Sequence, residues 1–174
     1  MMLALRSLDR LLGRIEDAVL MIAVAVIAIL LGLGVILRYV FNDPLTWSEE
    51  FVVTLFVWSV MIGVPSALRS RMHIRIDVLI LRLAQPARAT LGAIACGAAL
   101  VIFLFAIYAG VSHAGGVWSS RTPMLGYSMG WIFVSMPIGF ALTLFHGAMI
   151  LIDEGPQSVF RNATEAVIDS PPSV

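Results

Sequence analysis

Four stretches of this sequence contain no Asp, Glu, Lys or Arg: Ala18–Leu37, Phe51–Leu68, Ala89–Ser112 and Met124–Ile152. A bilayer core about 30 Å thick is crossed by roughly 20 apolar residues in a helix. Inside lipid a single segment satisfies its own backbone N–H and C=O groups only as a helix. Runs of this length therefore predict an all-α integral membrane protein with four transmembrane helices and little chain left for a water-soluble core. Composition agrees. Of 174 residues, 60% are hydrophobic and 13% charged, about half the charged share of a soluble domain.

Basic residues stay on the cytoplasmic side of a span, and all eleven here are arginine. Arg6, Arg10 and Arg14 precede the first run, Arg69, Arg71, Arg75, Arg82 and Arg88 separate the second from the third, and Arg161 follows the fourth. Only Arg38 and Arg121 fall in the other two connectors. Alternate segments agree, so both termini are expected inside (N-in, C-in), with the connectors after spans one and three outside. The first apolar run is too long for a signal peptide and ends without a small-residue cleavage pattern, so it reads as a retained span.

The inside pieces carry pattern of their own. Arg6, Arg10 and Arg14 recur every fourth residue with Leu8, Leu11, Leu12 and Ile15 between them. That spacing predicts an amphipathic interfacial helix over residues 1–17, leading into a membrane domain of residues 18–152. A second interfacial helix is expected over 71–85, with Arg71, Arg75, Arg82 and Gln85 along one polar arc. His73 and Asp77 sit off that arc four residues apart, which suits either a simple i,i+4 pair or contact with a partner. Residues 153–174, with Gly155-Pro156 and Pro171-Pro172, are expected to be a cytoplasmic, largely disordered tail.

The connector Arg38–Glu50, RYVFNDPLTWSEE, is the charge-dense and aromatic one. Asn42 or Asp43 is expected to cap span two, with Pro44 as its first helical residue, so that the span covers 44–68. Glu49 and Glu50 then lie near the positive end of that helix, with Arg38 as the nearest cation. Tyr39, Phe41 and Trp47 suit the aromatic belt. An ordinary capped turn does not require so many specific residues together. Arg38, Tyr39, Asn42, Trp47, Glu49 and Glu50, with His73 and Asp77, are therefore the candidate partner-contact residues.

A self-contained carrier needs an ionisable group within the membrane, where such groups cost about 2.5–3.5 kcal/mol and persist for function. None lies in the middle of a span, which argues against an autonomous small multidrug carrier. A haem-bearing respiratory anchor is the other alternative, because such anchors hold haem between helical histidines. Here His113 falls near the outer end of span three and His146 near the inner end of span four, on opposite sides of the bilayer. The single Cys96 allows no internal disulfide. Four-residue spacings of small residues (Ala93 and Gly97, Ala106 and Gly110, Gly126 and Gly130, Gly139 to Gly147) suit close helix contacts, and Pro65 and Pro137 suit kinks. The reading is of an accessory subunit: no enzyme, no cofactor, no nucleic acid, and membrane lipid on most sides.

Arg38-Tyr39, Phe41-Asn42, Pro44-Leu45, Trp47 and Glu49-Glu50, then Phe56-Val57-Trp58 and Gly63, form a recognisable string. His73-Ile74 with Asp77, and later Thr122-Pro123, Leu125-Gly126, Trp131 and Pro137-Ile138-Gly139, extend it. In these residues, over about positions 10–152, the chain resembles the small, DctQ-like membrane subunit of TRAP transporters, the tripartite ATP-independent periplasmic transporters. It departs from the family at Tyr127-Ser128, where members often have Ile-Pro. The resemblance implies a bacterial inner-membrane protein and a separate large DctM-like subunit that carries the substrate and sodium sites. It also implies a periplasmic binding protein that delivers an organic, carboxylate-type solute.

Overall fold

The computed structural model describes residues 2–70 and 85–154. They form α1 (Met2–Tyr39), α2 (Thr46–Arg69), α3 (Gln85–Gly116), a single turn α4 (Gly130–Phe133) and α5 (Ser135–Glu154). Four helical segments are long and apolar enough to cross a membrane: Leu5–Tyr39, Thr46–Arg69, Thr90–Gly116 and Gly130–Ile152. Among the described residues there is no strand, only an isolated antiparallel bridge between Arg121 and Ser128. The expected interfacial helix over 71–85, with His73 and Asp77, lies almost wholly outside the described residues, as does the tail from 155 onward.

The helices form a row more than a closed ring. α2 and α5 pack most extensively on each other, α1 lies against α2, and α3 lies against α5. Direct contact between α1 and α5 is small. Glycine decides how closely the central helices approach. A Cβ on Gly139 would press into the backbone carbonyl of Met61, and one on Gly110 would meet Pro137. Two of the expected small-residue stripes are thus in use, at α5 against α2 and α3 against α5. The Ala93–Gly97 stripe is not, because nothing lies near Gly97.

Three local features depart from the sequence reading. α2 begins at Thr46, two residues after Pro44, with Leu45 at the cap position and no side-chain cap. Asn42 and Asp43 finish α1 instead. Asn42 adopts a left-handed backbone, φ 53°, which Asn tolerates better than most residues. That reversal brings the Asp43 N–H within 3.1 Å of the Leu37 carbonyl, satisfying one of the orphan acceptors at the helix end. The α1 helix itself is continuous for 38 residues, passing through positions 17 and 18 without a break. The fourth span is helical from Gly130, not Met124, and is interrupted at Val134. Pro137 has no N–H to give the Phe133 carbonyl, so the regular ladder lapses there.

Candidate functional site

The helices run alternately, so their connectors gather at two ends, named outer and inner here after the arginine distribution. At the outer end the two adjacent glutamates diverge, as neighbours 100° apart on a helix must. Glu49 turns toward α1 and forms an ion pair with Arg38. Glu50 turns the other way, and its Oε2 accepts hydrogen bonds from the backbone N–H groups of Leu125 (2.7 Å) and Met124 (3.1 Å). The two adjacent glutamates thereby tie α2 to α1 on one side and to the loop that precedes α4 on the other.

The same face of α2 continues the grip downward at helical spacing. Thr54, four residues after Glu50, pairs its hydroxyl with the Tyr127 hydroxyl. Trp58, four further on, donates its indole N–H to the Trp131 carbonyl at 3.1 Å. The 119–129 loop is folded on itself. Thr122 N–H donates to the Tyr127 carbonyl (2.9 Å), and the left-handed Gly126 (φ 70°) makes the reversal. Ser128 Oγ donates to the Trp118 carbonyl (2.6 Å) and accepts from the Gly130 N–H (3.1 Å). Trp118 covers Gly130 so closely that a Cβ there would collide with the ring. Tyr127 and Ser128 thus supply three side-chain bonds that shape this loop.

Of the candidate contact residues, the fold brings Arg38 and Glu49 together and draws Glu50 inward. Tyr39 is left 79% exposed, beside the similarly open Val40 and Phe41. Trp47 is 43% exposed, and its ring lies 6.4 Å from that of Phe51. Asn42 serves the backbone turn. The outer end therefore carries an ordered polar clasp beside an exposed aromatic edge.

The inner end holds polar chemistry that sequence reasoning missed. Asp17 Oδ1 accepts from Arg69 Nη2 (2.7 Å) and from Ser66 Oγ (2.8 Å), joining α1 to α2. The Arg69 guanidinium occupies the space a Cβ would take at Gly13. On the α5 side, the buried His146 meets Asp9 through Nδ1 (2.6 Å) and Glu16 through Nε2 (2.9 Å). The signal was present in the spacing. Asp9, Gly13 and Glu16 are four and three residues apart and share one helix face. Both ring nitrogens of His146 face carboxylates, which leaves neither free to ligate iron. His113 instead stands edge-on to Phe133, 4.5 Å between centroids.

Comparison with known proteins decides what this arrangement belongs to. The family model for the DctQ component of tripartite ATP-independent periplasmic transporters matches residues 27–154. The chain belongs to that family. As a DctQ-family protein it is an accessory component of a TRAP transporter and not an enzyme, and it resides as a multi-pass protein in the bacterial inner membrane. It is similar to the sialic acid TRAP transporter small permease protein SiaQ of Vibrio cholerae, 28% identical over 81% of this chain and 82% of that one. The C4-dicarboxylate small permease protein DctQ of Pseudomonas aeruginosa is 30% identical over 63% of this chain and 55% of its own length. The sialic acid TRAP transporter permease protein SiaT of Haemophilus influenzae is 32% identical over 70% of this chain, which spans only 20% of that longer protein. The DctQ match begins inside α1 and ends with α5, so it takes in the outer clasp and His146 but not Asp9 or Glu16.

Proposed function

We propose that this DctQ-family chain widens and anchors the static scaffold of a large, DctM-like membrane subunit, and that its outer end helps dock a periplasmic solute-binding protein. The large subunit carries the substrate and sodium sites, and the transported solute is an organic carboxylate. The observation that carries the reading is where the ionisable groups lie. The apolar cores of all four spans hold no Asp, Glu, Lys or Arg, and several ionisable groups at the helix ends, Arg38 with Glu49, Arg69 with Asp17 and His146 with Glu16, tie helices together. Nothing in such an arrangement binds a solute midway through the membrane, where a carrier needs it.

Three further facts support it. The relatives' names attach them to sialic acid and C4-dicarboxylates, both carboxylates. The SiaT protein contains a segment like this chain within a polypeptide about five times the matched length, which suits a small subunit working beside a larger membrane part. Large apolar surface is also available: in α1, α2 and α3 only 6% of the most apolar stretch is buried, against 33% in α4–α5. Lipid and a larger subunit are the natural covers for such surface. The test is solute uptake in proteoliposomes. The chain alone is expected to show none under a sodium gradient, and uptake is expected when the large subunit and binding protein are added. Sodium-driven uptake by the chain alone would overturn the proposal.

A further inference from the structure

A narrow groove follows the outer part of the seam between α1 and α2. Leu30, Leu31 and Val35 make its apolar floor, Gly34 and the facing Ser48 its wall, and Arg38 and Glu49 its mouth. The α1 members recur at four-residue steps, so they line one face of that helix. The slot exists because Gly34 brings no side chain: a Cβ there would stand 3.9 Å from Ser48 Oγ, in ordinary contact. The Ser48 hydroxyl donates to the Leu45 carbonyl at 2.7 Å, so polar chemistry is confined to the mouth. Leu31 and Val35 are 52% and 57% exposed, which leaves the floor open. The groove holds about 180 Å³, less than the roughly 300–1,000 Å³ that enclose a compact ligand. A slot of that size suits one extended hydrocarbon chain.

The mouth has unused bonding capacity of both signs. Arg38 and Glu49 pair through Nη2 and Oε1 alone, with their side chains 52% and 65% exposed. A guanidinium has five N–H donors and a carboxylate about four acceptor sites, so most of the capacity on each remains. The other ionisable groups near this end, among the described residues, are placed elsewhere. Glu50 accepts from the Met124 and Leu125 amides, Arg121 donates to the Gly126 carbonyl, and His113 stands against Phe133. Asp43 belongs to the turn after α1 and is not part of the groove lining. A simple anion at the mouth meets the Glu49 carboxylate as well as Arg38, and a simple cation meets Arg38 as well as Glu49. Only a group carrying both signs a short distance apart satisfies both.

We propose that this groove is a binding site for a zwitterionic phospholipid of the outer leaflet. One acyl chain lies over Leu30, Leu31 and Val35, the headgroup phosphate accepts from the open N–H groups of Arg38, and a primary ammonium on the same headgroup donates to Glu49. A phosphate and an ammonium joined by two carbons, as in phosphatidylethanolamine, reach two side chains that are themselves in contact. Phosphatidylcholine brings the charge but no N–H, and phosphatidylglycerol brings the phosphate but no cation. Tyr39, 79% exposed beside the mouth, suits headgroup depth. A lipid seated there fills the seam between α1 and α2 and holds the Arg38–Glu49 pair at the membrane surface.

Native mass spectrometry of the delipidated full chain, titrated with phosphatidylethanolamine, phosphatidylcholine and phosphatidylglycerol of identical acyl chains, reads the preference. Phosphatidylethanolamine is expected to be retained roughly two- to fivefold over each of the others, the size of one solvent-screened ion pair. Equal retention of the three lipids, or preference for phosphatidylglycerol, overturns the proposal. Glu49→Gln removes the charge that meets the ammonium and is expected to erase the preference over phosphatidylglycerol; a preference that survives places the headgroup elsewhere and overturns it too. Gly34→Leu fills the slot and is expected to lower retention of all three lipids, whereas unchanged retention removes the groove from the proposal. Photocrosslinking of the unaltered chain in nanodiscs is independent of any variant's folding. Phosphatidylethanolamine with a diazirine high on one acyl chain is expected to label Leu31 and Val35 more heavily than the comparably exposed Tyr108 and Val111 of α3. Even labelling of α1 and α3 overturns the site.

Discussion

The two ends of this helical row use similar side chains to opposite effect. At the outer end, Arg38 and Glu49 pair with about half or more of each side chain exposed, 52% and 65%, and Glu50 spends its charge on the backbone of a loop. At the inner end, His146 and Glu16 pair at 1% and 4% side-chain exposure. Water screens the first arrangement, so its ion pair contributes about 0–1 kcal/mol. The second has no water to fall back on. Removing one partner of a buried pair costs about 3–5 kcal/mol, because the other charge is stranded. Polar groups at the outer end shape a surface, whereas His146 with Asp9 and Glu16 at the inner end joins α5 directly to α1.

That contrast orders the substitutions that would break it. His146→Leu is expected to have the largest effect, a loss of about 3–5 kcal/mol, read by denaturant or thermal unfolding in detergent or nanodiscs. A loss no larger than that of an outer-end variant would erase the distinction. Next comes Glu50→Ala, which strips a charged acceptor from two backbone N–H groups. Hydrogen bonds to charged groups are worth about 1.5–3 kcal/mol, and faster proteolysis within 119–129 is the accompanying signature. Gly13→Ala sharpens the comparison from another direction. Exchanging a mid-helix glycine for alanine ordinarily gains about 1 kcal/mol, but here the new methyl evicts the Arg69 guanidinium from its seat beside Asp17. No gain in melting temperature is expected, and a full gain would show that the Arg69–Asp17 joint contributes nothing. The smallest effect belongs to Glu49→Lys. It should alter stability by about 1 kcal/mol or less while leaving assembly with the large subunit intact and lowering uptake. Unchanged uptake would remove Glu49 from the docking surface.

Most of the architecture was legible before any coordinates. Charge-free runs of about 20 residues mark spans because lipid offers the backbone no other partner, and the Arg38–Glu50 string pointed to the family. What the sequence could not disclose was pairing across distance. The choice between Glu49 and Glu50 as surface or interior depended on where Arg38 and the Met124–Leu125 amides came to rest. Asn42 reads equally well as a helix start or a helix stop, and only its left-handed backbone separates the two. The inner cluster joins positions 130 and 137 residues apart. Its local trace, acids at positions 9 and 16 flanking Gly13, looked like part of an interfacial helix as long as α1 was divided at residue 17.

The unbroken length of α1 has a consequence for the lipid around it. Thirty-eight residues at 1.5 Å each make a rod of about 57 Å, nearly twice the hydrocarbon thickness of a bilayer. A stiff rod cannot shorten. In a membrane thinner than its apolar stretch, it accommodates by tilting as a whole, and its lower third swings with it. Bilayer thickness thus becomes a mechanical input, felt as leverage on the junction with α5 at Asp9 and Glu16, far below the outer rim at Tyr39.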